Sequence, residues 1–428
     1  MKQFARVLGV LLAAGMTAAA FSGCSGSGSG GKKITMLNTK GEIQADFEEL
    51  AKVYKEKTGV TVEITAAPTG SSPFATISSL YNSGNPPTLA MLDISDILAL
   101  YEEKALDLSD EAWAKDESGQ TYPIDGKIYS FPMGVEGKGL IYNKTLLDAT
   151  LGRPFDPAEY NTYDKFKALL DELKAKGLAS PVALTKEDWS LGSHVLGTLY
   201  ESQADTAEER EAFLDQLRAG SVDVGSSTRF TQLMDIFDLL KENNINKADP
   251  MAADYAVDPS YIVDGKVAFW YNGNWAWPNI AAFVEDGDTT EYGMMPLPMG
   301  NDAGDFANTN LIGSGSKQIM IDRVKATEEE QQMAKDFLNW LYADEEGQKQ
   351  VVDTLNMVPA FDNNPNEPAD PLSQVVKRYV SEGKVAFSPV MPSDHWDVLG
   401  AKMQEYLAGR TDRAGLASAI EDYWKSQK

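Results

Sequence analysis

The 428-residue chain holds one cysteine, Cys24, and two histidines, His194 and His395. A structural zinc site built from Cys and His ligands is therefore all but excluded, and so is a disulfide within the chain. No metal ligand is assigned and no cofactor is expected, while acidic loops such as NDAGDF leave a structural metal ion open. Positive charge is also scarce, with 38 Lys and Arg against 64 Asp and Glu and a net charge of -26. Such a surface repels phosphate backbones and anionic lipid, which disfavours nucleic-acid binding through a basic face. What remains is a globular composition, long enough for two or three domains.

The N-terminal stretch differs from the rest. Lys2 and Arg6 lead into apolar, alanine-rich residues 7–21, and the small Ser22 and Gly23 precede Cys24. This is the pattern of a secretory signal, too short and wrongly flanked for an ordinary membrane span. It resembles a bacterial lipoprotein signal, with Phe21-Ser22-Gly23-Cys24 as the lipobox and Phe21 in place of the usual leucine. The resemblance implies a signal peptide over 1–23 and lipidation at Cys24. The Gly/Ser run that follows implies a flexible tether over 24–33. The chain would then sit lipid-anchored on the extracellular face of the bacterial cell membrane. The alternative is a plainly secreted protein with a chance cysteine.

Beyond the tether, strand and helix patterns alternate. ITML at 34–37 reads as a buried strand. Phe47, Leu50, Ala51 and Tyr54 recur at helical spacing over 42–57, and Gly59 is a stop. VTVEIT alternates as a strand, PFATISSLYNSG suggests a helix, and TLAMLD a further strand. This order argues for βαβ units and a parallel sheet. Amphipathic helices are predicted over 162–177, 228–242 and 328–342. Breakers gather at 134–139, 293–300 and 356–371, which are either three loops or three crossings between two lobes.

The segment AFWYNGNWAWPN, 268–279, crowds Phe269, Trp270, Tyr271, Trp275 and Trp277 around an Asn-Gly-Asn break. A turn at Asn272-Gly273-Asn274 would point Trp275 outward. Phe269, Trp270 and Trp277 read as core that supports the loop, and Tyr271 is undecided. His194 reads as structural and His395 as a neighbour of the cleft.

These elements together resemble the extracellular solute-binding proteins of ABC sugar importers, and within them the maltose/maltodextrin-binding proteins. The resemblance runs from about residue 34 to the C-terminus. It is densest in DGKIYSFPMGVEGKGLIYNKTLL, IVDGKVAFWYNGNWAWPNI, EYGMMPLP and AKDFLNWLYADEEGQ. It implies an α/β, two-lobe fold like that of the periplasmic binding proteins, with a ligand cleft between lobes. Three hinge crossings would fall near Gly137, Met295 and Pro359. Lobe 1 would comprise 34–137 and 296–358, and lobe 2 would comprise 138–295 and 359–428.

The resemblance also implies the ligand-binding residues. Lys40 follows the first strand, Asp93 ends TLAMLD, and Glu136 lies beside the first crossing. Glu187 and Trp189 come from TKEDW, Trp275 is the main stacking platform, and Trp396 of SDHWDVL is a second one. Ala90-Met91-Leu92 and Ile94 depart from the aromatic and arginine that maltose binders carry around the Asp93 position, so the resemblance specifies a sugar site and not the sugar. A monomer is implied, with an oligosaccharide as ligand, an ABC permease as partner and no catalytic residue.

The chemistry suits a pyranose, which has a polar rim and an apolar C–H face. Carboxylates accept hydroxyl hydrogen bonds in charge-assisted form, and aromatic rings cover the C–H face. Each residue has a plainer role open to it. Asp93 could cap the helix that begins at ISDILALYEE, and Lys40, Glu136 and Glu187 could be solvated charges. Two other functions stay open. One is a receptor for a non-sugar solute, a peptide or a polyamine, since an acidic, tryptophan-lined cleft could hold a cation. The other is a secreted glycoside hydrolase working with two carboxylates.

Overall fold

Apolar alternation decides the first strand. In β1 (Lys33–Asn38), Ile34 and Met36 pack into one core cluster and Leu37 into another, on opposite faces. A strand buried on both faces belongs in a sheet covered by helices on both sides. The helix Gln44–Thr58 buries Phe47, Leu50, Ala51 and Tyr54, the stripe expected from sequence, and ends at Gly59 with φ 76. It returns the chain to β2 (Thr61–Ala66), parallel to β1. After the helix Pro73–Asn82, β3 (Leu89–Leu92) adds parallel to the other side of β1. The computed structural model describes residues 31–68, 71–315 and 317–427, so the expected signal peptide, Cys24 and most of the tether lie outside the described residues.

The hairpin β4 (Pro123–Ile124) and β5 (Lys127–Ile128) precedes β6 (Phe131–Pro132), which closes the edge of the first sheet. The second sheet is built around the long β7 (Val135–Asn143). On one side of it run β9 (Phe269–Gly273) and then β8 (Val182–Ala183). On the other side β10 (Tyr292–Met295) and β11 (Leu311–Gly315) lie end to end, with β13 (Val385–Phe387) beyond β11. Meanwhile β12 (Gln318–Ile321) has returned to the first sheet between β3 and β6. Helices Tyr163–Ala175, Thr228–Glu242 and Glu328–Ala343 stand where the periodicity places them. The result is the expected α/β fold of two lobes, each with its own sheet. No helix among the described residues is long and apolar enough to cross a membrane.

The chain passes between the sheets three times. The first passage is at 133–134, between β6 and β7, so Gly137 already lies inside the second sheet. A Cβ on Gly134 would come within 2.7 Å of the Val358 carbonyl, because the third passage runs alongside, with Val135 donating to that carbonyl at 2.9 Å. The second passage falls between the end of β11 at Gly315 and the start of β12 at Gln318, and not at Met295. The PLP breakers that suggested a crossing open a loop that stays on the second lobe, because β11 must still fill the place between β7 and β13.

Candidate functional site

The loop after β1 is held by one side chain. Asn38 accepts from the Lys40 N–H at 2.8 Å and donates back to the Lys40 carbonyl at 2.9 Å. This fixes the backbone from which Lys40 projects, and Lys40 is only 6% exposed. Its ammonium lies 2.9 Å from Glu42 Oε1 and 2.7 Å from Glu136 Oε1. Glu42 belongs to the first lobe and Glu136 to β7 of the second, so one lysine joins carboxylates from both lobes. Burial works against the Lys40 charge, but the two carboxylates outweigh it and raise its pKa.

Asp93 stands at the N-cap position of the helix Ile94–Lys104 but makes no capping hydrogen bond. Its carboxylate instead pairs at 2.5 Å with Lys317, the residue that precedes β12. Behind it, burial and the Asp93 charge push the Asp96 carboxyl up to about 7, with Lys317 offsetting part of the rise.

The second lobe supplies an aromatic wall. Trp189 meets Tyr255 edge-on at 5.0 Å and His194 at 5.4 Å, and His194 lies 4.6 Å from Trp275. His194 lies in a π-helical turn, Ser190–Val195, with Trp189 at its N-cap, a form of helix frequent at functional sites. The Tyr271 hydroxyl donates to the His194 carbonyl at 2.9 Å, so this buried tyrosine supports the turn from beneath. Burial first, then Lys138, Lys317 and Lys40, hold the His194 pKa well below its usual value. Its ring is therefore neutral at physiological pH. Glu187 accepts the Tyr255 N–H at 3.4 Å through Oε1, and its buried Oε2 has no partner among the described residues. Burial raises its pKa.

The expected turn at Asn272-Gly273-Asn274 does not form. Strand β9 runs on through Gly273 in extended conformation, and Asn274–Ala276 is a single 3-10 turn. Trp275 folds back over the glycine, where a Cβ would lie 2.1 Å from its ring. Gly273 is thus needed for close approach and not for a positive φ. Trp270 is fully buried and donates to Thr185 at 3.0 Å. Trp277 is less buried than expected: it opens the helix Trp277–Ala281 and packs edge-on to Tyr292 at 5.7 Å.

A small cavity brings three of the candidate residues together, Lys40, Glu136 and Trp275, along with Glu42, Asn274 and Asn356. Trp189 adjoins it through His194, and Glu187 through Tyr255 and Trp189. Trp396 does not line it. It stands half-buried in the first turn of the helix His395–Leu407, and its carbonyl backs onto Gly192. His395, expected beside the cleft, is in the core: it is 2% exposed and nested between Tyr200, Tyr423 and Trp424, and burial and Lys138 lower its pKa to about 3.

Sequence reasoning missed Glu42, Tyr255, His194, Asn356 and Lys317. Glu42 had a signal, since an acid two residues beyond a buried lysine in one tight loop can reach it. Asn356, at φ 56, had another, since Asn tolerates the left-handed region. Tyr255 and Lys317 had none, because only the fold brings them near. Among the described residues, no group of three or more His, Cys, Asp or Glu could hold a metal ion.

Residues 49–379 match the model of the bacterial extracellular solute-binding protein family. The multiple sugar-binding protein of Streptococcus mutans is 22% identical over 354 residues, 77% of each chain. Among solved structures, the solute-binding protein RafE in complex with raffinose superposes with a TM-score of 0.74 at 18% identity, covering 92% of this chain and 99% of that one. A chitin oligosaccharide binding protein superposes with a TM-score of 0.73 at 20% identity, covering 92% and 98%. At these identities the two structural likenesses establish the fold.

Proposed function

This chain belongs to the bacterial extracellular solute-binding proteins, and we propose that its solute is a neutral oligosaccharide, gripped between the lobes and delivered to the permease of an ABC importer. Membership in a binding family sets aside the hydrolase alternative. One observation carries the sugar reading: Lys40 from the first lobe meets Glu136 and Trp275 from the second around one cavity. Trp275 offers a face for C–H groups, and the ion-paired carboxylates keep free lone pairs for hydroxyls. Lys40 and Lys317 offset two of the three charges on Glu42, Glu136 and Asp93, which disfavours an anionic ligand and makes cationic solutes the comparison to run.

Lys40, Glu136 and Trp275 are the central ligand residues of this reading. Asp93, Glu187 and Trp189 extend the site along the cleft, and Trp396 has the least support. The lobes divide as 33–133 with 317–357, and 134–315 with 358–427, following the strand placement. A maltodextrin-like glycan is one candidate. The relatives, whose names include multiple sugars, raffinose and chitin oligosaccharide, argue for testing α- and β-linked sugars alike. A thermal-shift screen of both linkages at several lengths, with cationic solutes beside them, tests the reading. Ligand at 100 times its Kd stabilises by about 2.7 kcal/mol, so a true sugar ligand raises Tm measurably. A response to cationic solutes alone sinks the sugar reading.

Lipidation at Cys24 and monomeric action on the outer face of the membrane complete the proposal. A single acyl chain anchors only reversibly, and stable anchoring takes two signals. The Cys24→Ser protein is expected in the medium, whereas its retention in the membrane fraction would remove the anchor from the account.

A further inference from the structure

Strand β7 pairs with β9 only as far as Lys138 opposite Gly273. The N–H of Gly137, one residue further and next to Glu136, has no strand carbonyl on that side. The side chain of Asn274 takes it, with Oδ1 accepting at 2.9 Å. A backbone N–H can only donate, so the carboxamide orientation is fixed and Nδ2 faces the other way. There it donates to Ser373 Oγ at 3.0 Å. Ser373 is fully buried in the first turn of the helix Pro371–Ser381, and its own N–H is held by the Asp370 cap. The same helix packs over Gly137, where a Cβ would be 3.0 Å from Val376.

One buried carboxamide therefore ties together three elements: β7 beside Glu136, the turn that carries Trp275, and the helix that follows the third passage between lobes. Asn274 lines the ligand cavity, yet both its polar ends are turned to protein. We propose that Asn274 is a positioning residue that sets the Trp275 platform relative to Glu136. The proposal rests on the sugar reading above for its effect on affinity, and on the hydrogen bonds alone for its effect on the loop.

A double-mutant cycle tests it. Asn274→Ala is expected to weaken glycan binding about tenfold, the scale of one to two hydrogen bonds. In a Trp275→Ala background the same change is expected to add nothing, because the residue acts through the platform. Ser373→Ala, which removes only one end of the clamp, is expected to cost less and serves if Asn274→Ala folds poorly. Two readouts need no sugar. The Gly137 amide is expected to exchange faster in Asn274→Ala, and the tryptophan emission of Asn274→Ala is expected to differ from the parent only while Trp275 is present. Equal affinity losses in both backgrounds, or unchanged exchange and emission, overturn the proposal. If the parent binds no glycan, the sugar reading fails, and the exchange and emission results still decide on Asn274.

Discussion

Asp258 shows what a single residue can report. It is 1% exposed, and neither carboxylate oxygen has a hydrogen-bond partner among the described residues. Burial, and then the nearby Glu187 charge, push its pKa from 3.8 up to about 7. The sign follows from linkage. A folded pKa above the unfolded one gives a stabilisation that is complete below the unfolded value and lost as pH rises through the folded one. Asp258→Asn lacks this loss. Its Tm relative to the parent is therefore expected to climb between about pH 4 and 7 and to level off above. Asp96, whose pKa burial also raises, is common to both proteins and cancels. Melting curves across pH check this, and a Tm difference that does not change with pH would refute the assignment.

At the scale of elements, the π-helical turn Ser190–Val195 and the helix His395–Leu407 touch backbone to backbone. A Cβ on Gly192 would lie 2.4 Å from the Trp396 carbonyl, and one on Gly400 would lie 2.3 Å from the Asp188 carbonyl. Neither neighbour is a flexible side-chain end, so Gly400→Ala must push the helix off the turn that carries His194, with Trp189 at its N-cap. Overpacking of this kind costs about 1–3 kcal/mol. A lowered Tm together with weaker ligand binding is the expected result, and a variant that melts and binds like the parent contradicts it. This contact was invisible in the sequence, where Gly192 and Gly400 are two isolated glycines. The helices at 228–242 and 328–342 were legible because their own periodicity specifies them. The passage between β11 and β12 was not, because a Pro-rich loop looks the same whether it crosses between lobes or returns to its own sheet. The place of Trp275 on the cavity was legible through the family resemblance, while its role there is a proposal. The residues flanking it in space, His194 and Tyr255, come from distant segments and left no local mark.

At the scale of the molecule, the Lys40–Glu136 pair joins a side chain from each lobe at the proposed site. Hinge closure brings such halves together, and a ligand shifts the balance by its preference for the closed form. Scattering at saturating glycan is expected to give a smaller radius of gyration than without it, and superimposable curves would argue against closure. Whether the cavity binds sugar through its aromatic platform is best asked by calorimetric titration of the parent and Trp275→Ala with the glycan that gives the largest thermal shift. Losing a stacking aromatic at a binding hot spot costs about 2 kcal/mol, roughly 30-fold in Kd. The account expects that loss with a nearly unchanged Tm, since Trp275 is only partly buried. Parental affinity in Trp275→Ala, or a fall in Tm without a fall in affinity, would contradict it.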